Sequence, residues 1–336
     1  MLRGAFIGFG NVAAKGHAPG WRLRNDAKIV AATDVTALRR ESFLATHPDG
    51  CWYDNIEDLL SVETLDFVDI CAPPGAHATL IRQALAAGLH VLCEKPLVTH
   101  FEDARVVASD AARARRLVHT VHNWLKAPIC LKISALIAEG AIGVVQTVSW
   151  RTLRTRPAMV AGPSGGANWR LDPALAGGGI MVDHGWHALY CIARWAGLPL
   201  AISARLEMRR FHESSLEDTA SLALDMKTGV SHIFLTWAAD ERSNEIEIEG
   251  ERGHIRVVAD SVVVNSNSHM SQWRCPPSLS QGSEHSDWFR GVADDFVNAV
   301  TGSGEGNLDE AMLCARLIDL AQQSAAAGGA RLSLAD

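Results

Sequence analysis

Two ionisable groups, Asp183 and His187, stand four residues apart in the otherwise apolar stretch GGGIMVDHGWHALY, residues 177–190. On a helix starting near Ile180 they share a face. At that spacing a carboxylate can fix an imidazole's orientation and raise its basicity, making the histidine a general base for a hydroxyl proton. A satisfied Asp–His pair in a core has the same pattern, and spacing alone leaves both open. Gly177 to Gly179 suit a turn where the backbone passes close to something, and Gly185 leaves room for a ligand. No cysteine or third ligand nearby has metal-site spacing, so no metal is expected.

A lysine closes another apolar run. LHVLCEKPL places Glu94, Lys95 and Pro96 at the carboxyl end of a buried strand, where ligands of open α/β sheets bind. Lys95 could there hydrogen-bond a substrate oxygen and exchange a proton with it; a strand-end lysine with its ammonium in water gives the same tripeptide. Nearer the N-terminus, IGFGNVA spells Gly8-x-Gly10-x-x-Ala13, with Asn11 and Val12 inside the turn. The first glycine permits the tight turn, the second lets the backbone approach a pyrophosphate, and a small third residue lets helix pack on strand. The following helix aims its N-terminal N–H groups at the phosphates. Asp34 ends the next strand, 24 residues after Gly10. A carboxylate there accepts from a ribose 2′-OH and repels a 2′-phosphate, which favours NAD over NADP. Arg39 and Arg40 follow it and could hold a 2′-phosphate, or belong to a solvated helix face.

These groups need a frame. Over the first 120 or so residues, short β-rich runs (GAFIGF, KIVAATD, LDFVDICA, LHVLCE, LVHTVH) alternate with helical runs such as AHATLIRQALAAG, ended by Gly88, and FEDARVVASDAARARR. Near-continuous apolar strands alternating with helices predict a parallel sheet covered on both faces. After a helix at ICLKISALIAEG, the strands alternate strictly. In ISARLEMR, Ile202, Ala204, Leu206 and Met208 face one way, and TASLALDM and EIEIE behave alike, as in an antiparallel sheet with one dry face. The last 45 residues return to helical spacing. Residues 154–179 form the longest irregular stretch, and the polar run at 265–288 reads as a surface loop.

The chain has 336 residues, 48% hydrophobic and 21% charged, which suits about two globular domains. A formal net charge of −7 argues against a nucleic-acid partner. Seven cysteines without a C-x-x-C pair suit a reducing compartment. Neither a signal-peptide core nor a membrane-length apolar run is present, so a cytoplasmic enzyme with no membrane partner is expected.

Together IGFGNVA, DFVDICAPPGAHATLIRQALAAGLHVLCEKPL, ANWRLDPALAGGGIMVDHGWHALY and EIEIEGERGHI resemble the glucose–fructose oxidoreductase / inositol dehydrogenase / rhizopine-catabolism family (Gfo/Idh/MocA), in order along nearly the whole chain. The resemblance implies an α/β protein: a Rossmann domain over 1–122, then a substrate-binding and oligomerisation α/β domain over 123–336 with a mainly antiparallel sheet. It implies hydride transfer between NAD(P) and a secondary alcohol or ketone of a sugar, polyol or related compound, and a homodimer or homotetramer formed through the second-domain sheet. By matching position, Lys95, Asp183 and His187 resemble the family's catalytic residues, and either Lys95 or His187 could be the main proton carrier. Ala72, Pro73, Pro74 and His77 resemble the segment along the cofactor, Glu94 the residue near the nicotinamide ribose, and Asn123 the asparagine that closes the site. Leu125 and Lys126 stand where an arginine often follows, a departure in the substrate contacts. Trp169 and Arg170 match a substrate-side pair. Some relatives use the same cofactor for glycoside hydrolysis by transient oxidation, and others bind NAD as regulators.

Overall fold

A computed structural model describes residues 1–159, 168–266, 269–281 and 285–335. The five apolar runs of the N-terminal third become β1 (Leu2–Ile7), β2 (Ala27–Thr33), β4 (Phe67–Ile70), β5 (His90–Cys93) and β6 (Val118–Thr120), and a further short strand, β3 (Cys51–Tyr53), forms where no run was expected. They pair parallel throughout, in the order β3-β2-β1-β4-β5-β6. The order reverses between β1 and β4, and the crevice beyond their carboxyl ends is where such sheets bind ligands. Helices Pro74–Ala86 and Phe101–Ala114 form where helical spacing places them. Gly88, at φ +77°, turns the chain just past the first of them.

The chain divides into two compact units. One comprises Met1–Asn123, Met159–Gly177 and Ser283–Met312; the other comprises Trp124–Ala158, Gly178–Gly282 and Leu313–Asp336. The first unit is thus not one continuous stretch, and its core shows why. Trp21 packs on Phe67 of β4 and also on Phe289 and Phe296 of the Ser286–Val300 helix, with ring centroids 5.0, 5.7 and 6.3 Å away. At the sheet's edge the Asn307 side chain acts as a short further strand. Its Oδ1 accepts from Thr120 N (2.8 Å) and its Nδ2 donates to Thr120 O (2.8 Å), satisfying β6 where no strand follows.

In the second unit, described strands form a nine-stranded sheet in the order β14-β13-β12-β11-β7-β10-β9-β8-β15. Its members are β7 (Val145–Leu153), β8 (Ala201–Glu207), β9 (Thr219–Asp225), β10 (Val230–Thr236), β11 (Ser243–Gly250), β12 (Gly253–Val258), β13 (Ser261–Ser266), β14 (His269–Arg274) and β15 (Leu332–Ser333). Every pairing is antiparallel except β7 with β10. Strand alternation sorts the sides: Ile246 and Ile248 of EIEIE are buried, each stabilising by roughly 1.5–3 kcal/mol. Trp150 lies in register between Ile233 and Ile246 on that face.

Two expectations change. Met208 falls just past the end of β8 and is 50% exposed, outside the alternation. The polar run at 265–288 is not all loop: His269–Arg274 is an exposed edge strand, held by backbone pairing with β13. Edge strands carry polar side chains without cost, so hydropathy hides them. Among the described residues no helix is long and apolar enough to cross a membrane.

Candidate active site

In the first unit the glycine turn leaves β1 with Gly8 at φ +89°, a conformation that disfavours any side chain. A Cβ on Gly8 would stand 2.9 Å from Ala72 N, so β1's turn lies directly against the segment leaving β4. A Cβ on Gly10 would meet nothing within 4 Å. One glycine therefore allows packing and the other keeps open space, as a pyrophosphate approached by backbone requires. Asn11 and Val12 lead into a π-helical turn, Val12–His17, a wide turn frequent at functional sites. Asp34 closes the turn from β2, its Oδ2 accepting from Phe9 N (2.7 Å) and its Oδ1 from Thr36 N (2.9 Å).

Ala72, Pro73 and Pro74 carry the chain from β4 into the Pro74–Ala86 helix. His77, fully buried on that helix, spans two strand-end segments: its Nε2 is 2.8 Å from Ala72 O and its Nδ1 2.8 Å from Pro96 O. Burial pushes its ring below the usual histidine pKa, while the two carbonyls pull the other way. Glu94 and Lys95 are half-buried after β5, and Glu94 Oε2 accepts the Lys95 N–H at 2.9 Å. The Oδ1 of Asn123 is buried and makes no hydrogen bond among the described residues. Such an orphan calls for an explanation, and a bound polar group supplies one. With the open space at Gly10, it makes this unit fit a dinucleotide. Trp169 and Arg170 lie on a short 3₁₀ turn, the guanidinium 4.5 Å above the indole. Their segment is anchored near Pro74, since a Cβ on Gly75 would stand 2.2 Å from Ala174 O.

In the second unit Gly179 passes so close to Glu217 that a Cβ would lie 1.9 Å from its carbonyl oxygen. The triple glycine therefore does bring backbone against backbone. Glu217 O accepts from Ile180 N (3.1 Å) and its Oε1 from Met181 N (3.0 Å), capping the turn that follows. Burial raises the Glu217 pKa against the pull of those amides. The helix does not start as a regular α-helix: Met181–Gly185 is a π-helical turn leading into the α-helix Trp186–Ala196. Gly185 does not leave room for a ligand. Leu235 Cδ1 and Met181 Cγ stand 3.3 and 3.4 Å from where its Cβ would be, because this side of the turn packs on β10.

His187 is 4% exposed, and its ring is fixed twice. It stacks on Trp124 with centroids 4.3 Å apart and planes at 9°. Its Nδ1 shares a 2.7 Å hydrogen bond with the Tyr190 hydroxyl, which also accepts from Trp124 N at 3.2 Å. Burial pushes the Tyr190 hydroxyl well above its usual pKa, so it stays neutral. Asp183 is half-buried, its Oδ2 3.7 Å from Nε2 of His184. Arg154, 2% exposed at the end of β7, spends its guanidinium on Leu153 O, Ser243 O and Asn244 Oδ1 at 2.7–2.9 Å. Burial and Arg242 lower its pKa to about 10, with Asp183 opposing.

Sequence reasoning missed Tyr190, Trp124, Arg154 and a set beneath the glycine turn: buried His17 and Asp69 with half-buried Cys71, whose ligand-type atoms lie within 4.8 Å of one another. Tyr190 stood three places from His187, a helical contact spacing. Asp69 was a lone acid inside the buried run FVDI, and a buried charge must be paired. Hydrogen bonds account for this set: Trp21 Nε1 donates to Asp69 Oδ2 at 2.7 Å, and His17 Nδ1 lies 3.0 Å from the same oxygen.

Residues 2–122 match the model of an oxidoreductase family with an NAD-binding Rossmann fold, and residues 130–256 match a GFO/IDH/MocA C-terminal domain. Among curated proteins the chain is 28% identical to Oxidoreductase P35 of Formosa agariphila, over 74% of this chain and 77% of that one. It is 28% identical to D-apiose dehydrogenase of Paraburkholderia graminis, over 84% and 75%. Among solved structures, an oxidoreductase from Agrobacterium radiobacter in complex with NAD+, L-tartaric acid and magnesium superposes with a TM-score of 0.87 at 22% identity, covering 99% of this chain and 98% of that one. At that identity the likeness is one of fold.

Proposed function

The chain belongs to the Gfo/Idh/MocA family of oxidoreductases, with an NAD-binding Rossmann domain, and from this premise we propose that it is a dehydrogenase or reductase of a secondary alcohol on a sugar or polyol. A relative named D-apiose dehydrogenase and a structural neighbour holding NADH and levoglucosan support that substrate class. The observation that carries the reading is the His187 ring, buried and held by Trp124 and Tyr190. A pre-oriented imidazole suits proton transfer, and a protein that merely binds NAD has no use for one.

Gly8, Gly10, Asn11 and Val12 hold the pyrophosphate; Asp34 receives the ribose and favours NAD over NADP by repelling a 2′-phosphate. Ala72, Pro73, Pro74, His77, Glu94 and Asn123 shape the nicotinamide side, with Trp169 and Arg170 toward substrate. Bound NAD would supply a nicotinamide able to accept or donate the hydride of the carbinol carbon. His187 takes the hydroxyl proton at Nε2, since Nδ1 is engaged by Tyr190. Asp183 stabilises the protonated ring by its charge, and Lys95 is the other candidate proton carrier, an ammonium that can hydrogen-bond a substrate oxygen and favour alkoxide character.

The test is a screen of sugars and polyols with NAD and NADP, followed by reduced nicotinamide. Steady NADH production from a free polyol or sugar is expected. Sugar release without net NADH would point instead to hydrolysis by transient oxidation. His187→Ala and Lys95→Ala should each lower turnover by at least about a hundredfold while NAD still binds; near-normal turnover in either variant would remove that residue from its role.

A further inference from the structure

Beneath the glycine turn is a buried histidine that the mechanism above does not use. His17 ends the Val12–His17 turn, and its ring stacks on Phe289 with centroids 3.8 Å apart and planes at 15°. Both ring nitrogens face carboxylates. Nδ1 lies 3.0 and 3.1 Å from the two oxygens of Asp69, and Nε2 lies 3.0 Å from Glu94 Oε1. A neutral imidazole has one N–H, so it would set a lone pair against one of these anions; only the doubly protonated ring serves both. Asp69 is itself anchored by Trp21 Nε1. The other Glu94 oxygen takes the Lys95 N–H.

We infer that His17 is a positioning residue for the Glu94–Lys95 corner: donating from both ring nitrogens, it ties Asp69 on β4 to Glu94 beyond β5 and so fixes the carboxylate that receives the Lys95 N–H. The inference rests on the assignment of Glu94 and Lys95 to cofactor and substrate made above. The groups facing His17 are Asp69 and Cys71 from the β4 segment and Glu94, followed by Lys95, from the β5 segment. Trp21 and Phe289 add no charge. Burial opposes charge on the ring, yet Asp69 and Cys71 hold its pKa well above the histidine norm. Burial likewise opposes charge on Glu94, while His17 and Lys95 hold its pKa below the usual value. The ring is thus a cation between two anions at neutral pH, and alkaline pH removes one of its two donors.

Five experiments test this. In the cofactor-free protein, nitrogen NMR of labelled histidine should show His17 doubly protonated at pH 7.5; a neutral ring there overturns the proposal. By calorimetry, the unaltered protein should lose NAD affinity at alkaline pH, and His17→Gln should weaken NAD binding about tenfold or more and abolish that alkaline fall. Asp69→Asn should bring that fall to lower pH, and it serves in place of His17→Gln if the latter does not fold. Phe289→Leu loosens the same ring packing while sparing the donors, and should leave NAD affinity within about twofold. If Phe289→Leu reproduces the loss, or a folded His17→Gln binds NAD as before, the positioning role is lost. Glu94→Gln separates the two ideas: normal NAD binding there overturns the reading of Glu94 itself and the inference with it, whereas weakened binding beside a normal His17→Gln overturns only the inference.

Discussion

Tyr190 shows what one hydroxyl does for a neighbouring ring. It holds His187 Nδ1 at 2.7 Å and accepts Trp124 N at 3.2 Å, while the indole covers the imidazole face. Tyr190→Phe removes both hydrogen bonds and leaves a buried backbone N–H unpaired, costing about 1–3 kcal/mol of stability. With Nδ1 unheld, the ring loses orientation, and turnover should fall roughly tenfold with KM for NAD unchanged. Steady-state kinetics beside a thermal melt check both. Full activity in a destabilised variant would leave Tyr190 only a packing role. Asp183 and His187 stood out in the sequence because ionisable groups in an apolar stretch are conspicuous. Tyr190 and Trp124 did not, because aromatic residues in such a stretch look like ordinary core.

The turn after β1 separates two uses of glycine. Gly8→Ala puts a side chain at φ +89° and 2.9 Å from Ala72 N, which should destabilise the protein by roughly 2–4 kcal/mol. Gly10→Ala meets nothing within 4 Å, so the melt should stay within about 0.5 kcal/mol while NAD affinity falls at least about tenfold. Melting curves and calorimetry on the two variants should therefore move in opposite columns; equal NAD affinity in Gly10→Ala would place the pyrophosphate elsewhere. The glycine spacing was legible because it is local. The π-helical turns at Val12–His17 and Met181–Gly185 were not, since a wide turn has no composition of its own and depends on what packs beneath it.

The NAD-binding unit draws its core from distant parts of the chain. Phe289 and Phe296 pack on Trp21, and Asn307 completes the edge of β6. Burying a phenylalanine stabilises by roughly 1.5–3 kcal/mol, so a fragment ending at residue 122 forfeits a large part of its stability. It should show no cooperative melt and weak near-ultraviolet circular dichroism; a sharp melt in that fragment would show the Ser286–Val300 helix to be dispensable. The buried ion set also shapes stability against pH. The folded His17 pKa is raised, so its contribution is complete below about 6.5 and is lost as pH rises through the folded value. The folded Glu94 pKa is lowered, so its contribution is complete above about 4.3 and is lost as pH falls through the folded value. Melting temperature should therefore decline at the alkaline end more in the unaltered protein than in His17→Gln. Parallel alkaline declines in the two would deny His17 that contribution.

Periodicity and spacing were enough for the parallel and antiparallel sheets, the glycine turn, Lys95 at a strand end and the Asp183–His187 segment. Each depends on residues within a few positions of one another, and backbone geometry converts such patterns directly into faces and turns. The partners of those residues came only with folding. His17 meets Asp69 and Glu94 across 52 and 77 residues, and β6 meets Asn307 across 187. Pairings at that range are chosen by which buried charges and edges the packed chain must satisfy, and no local pattern encodes that choice.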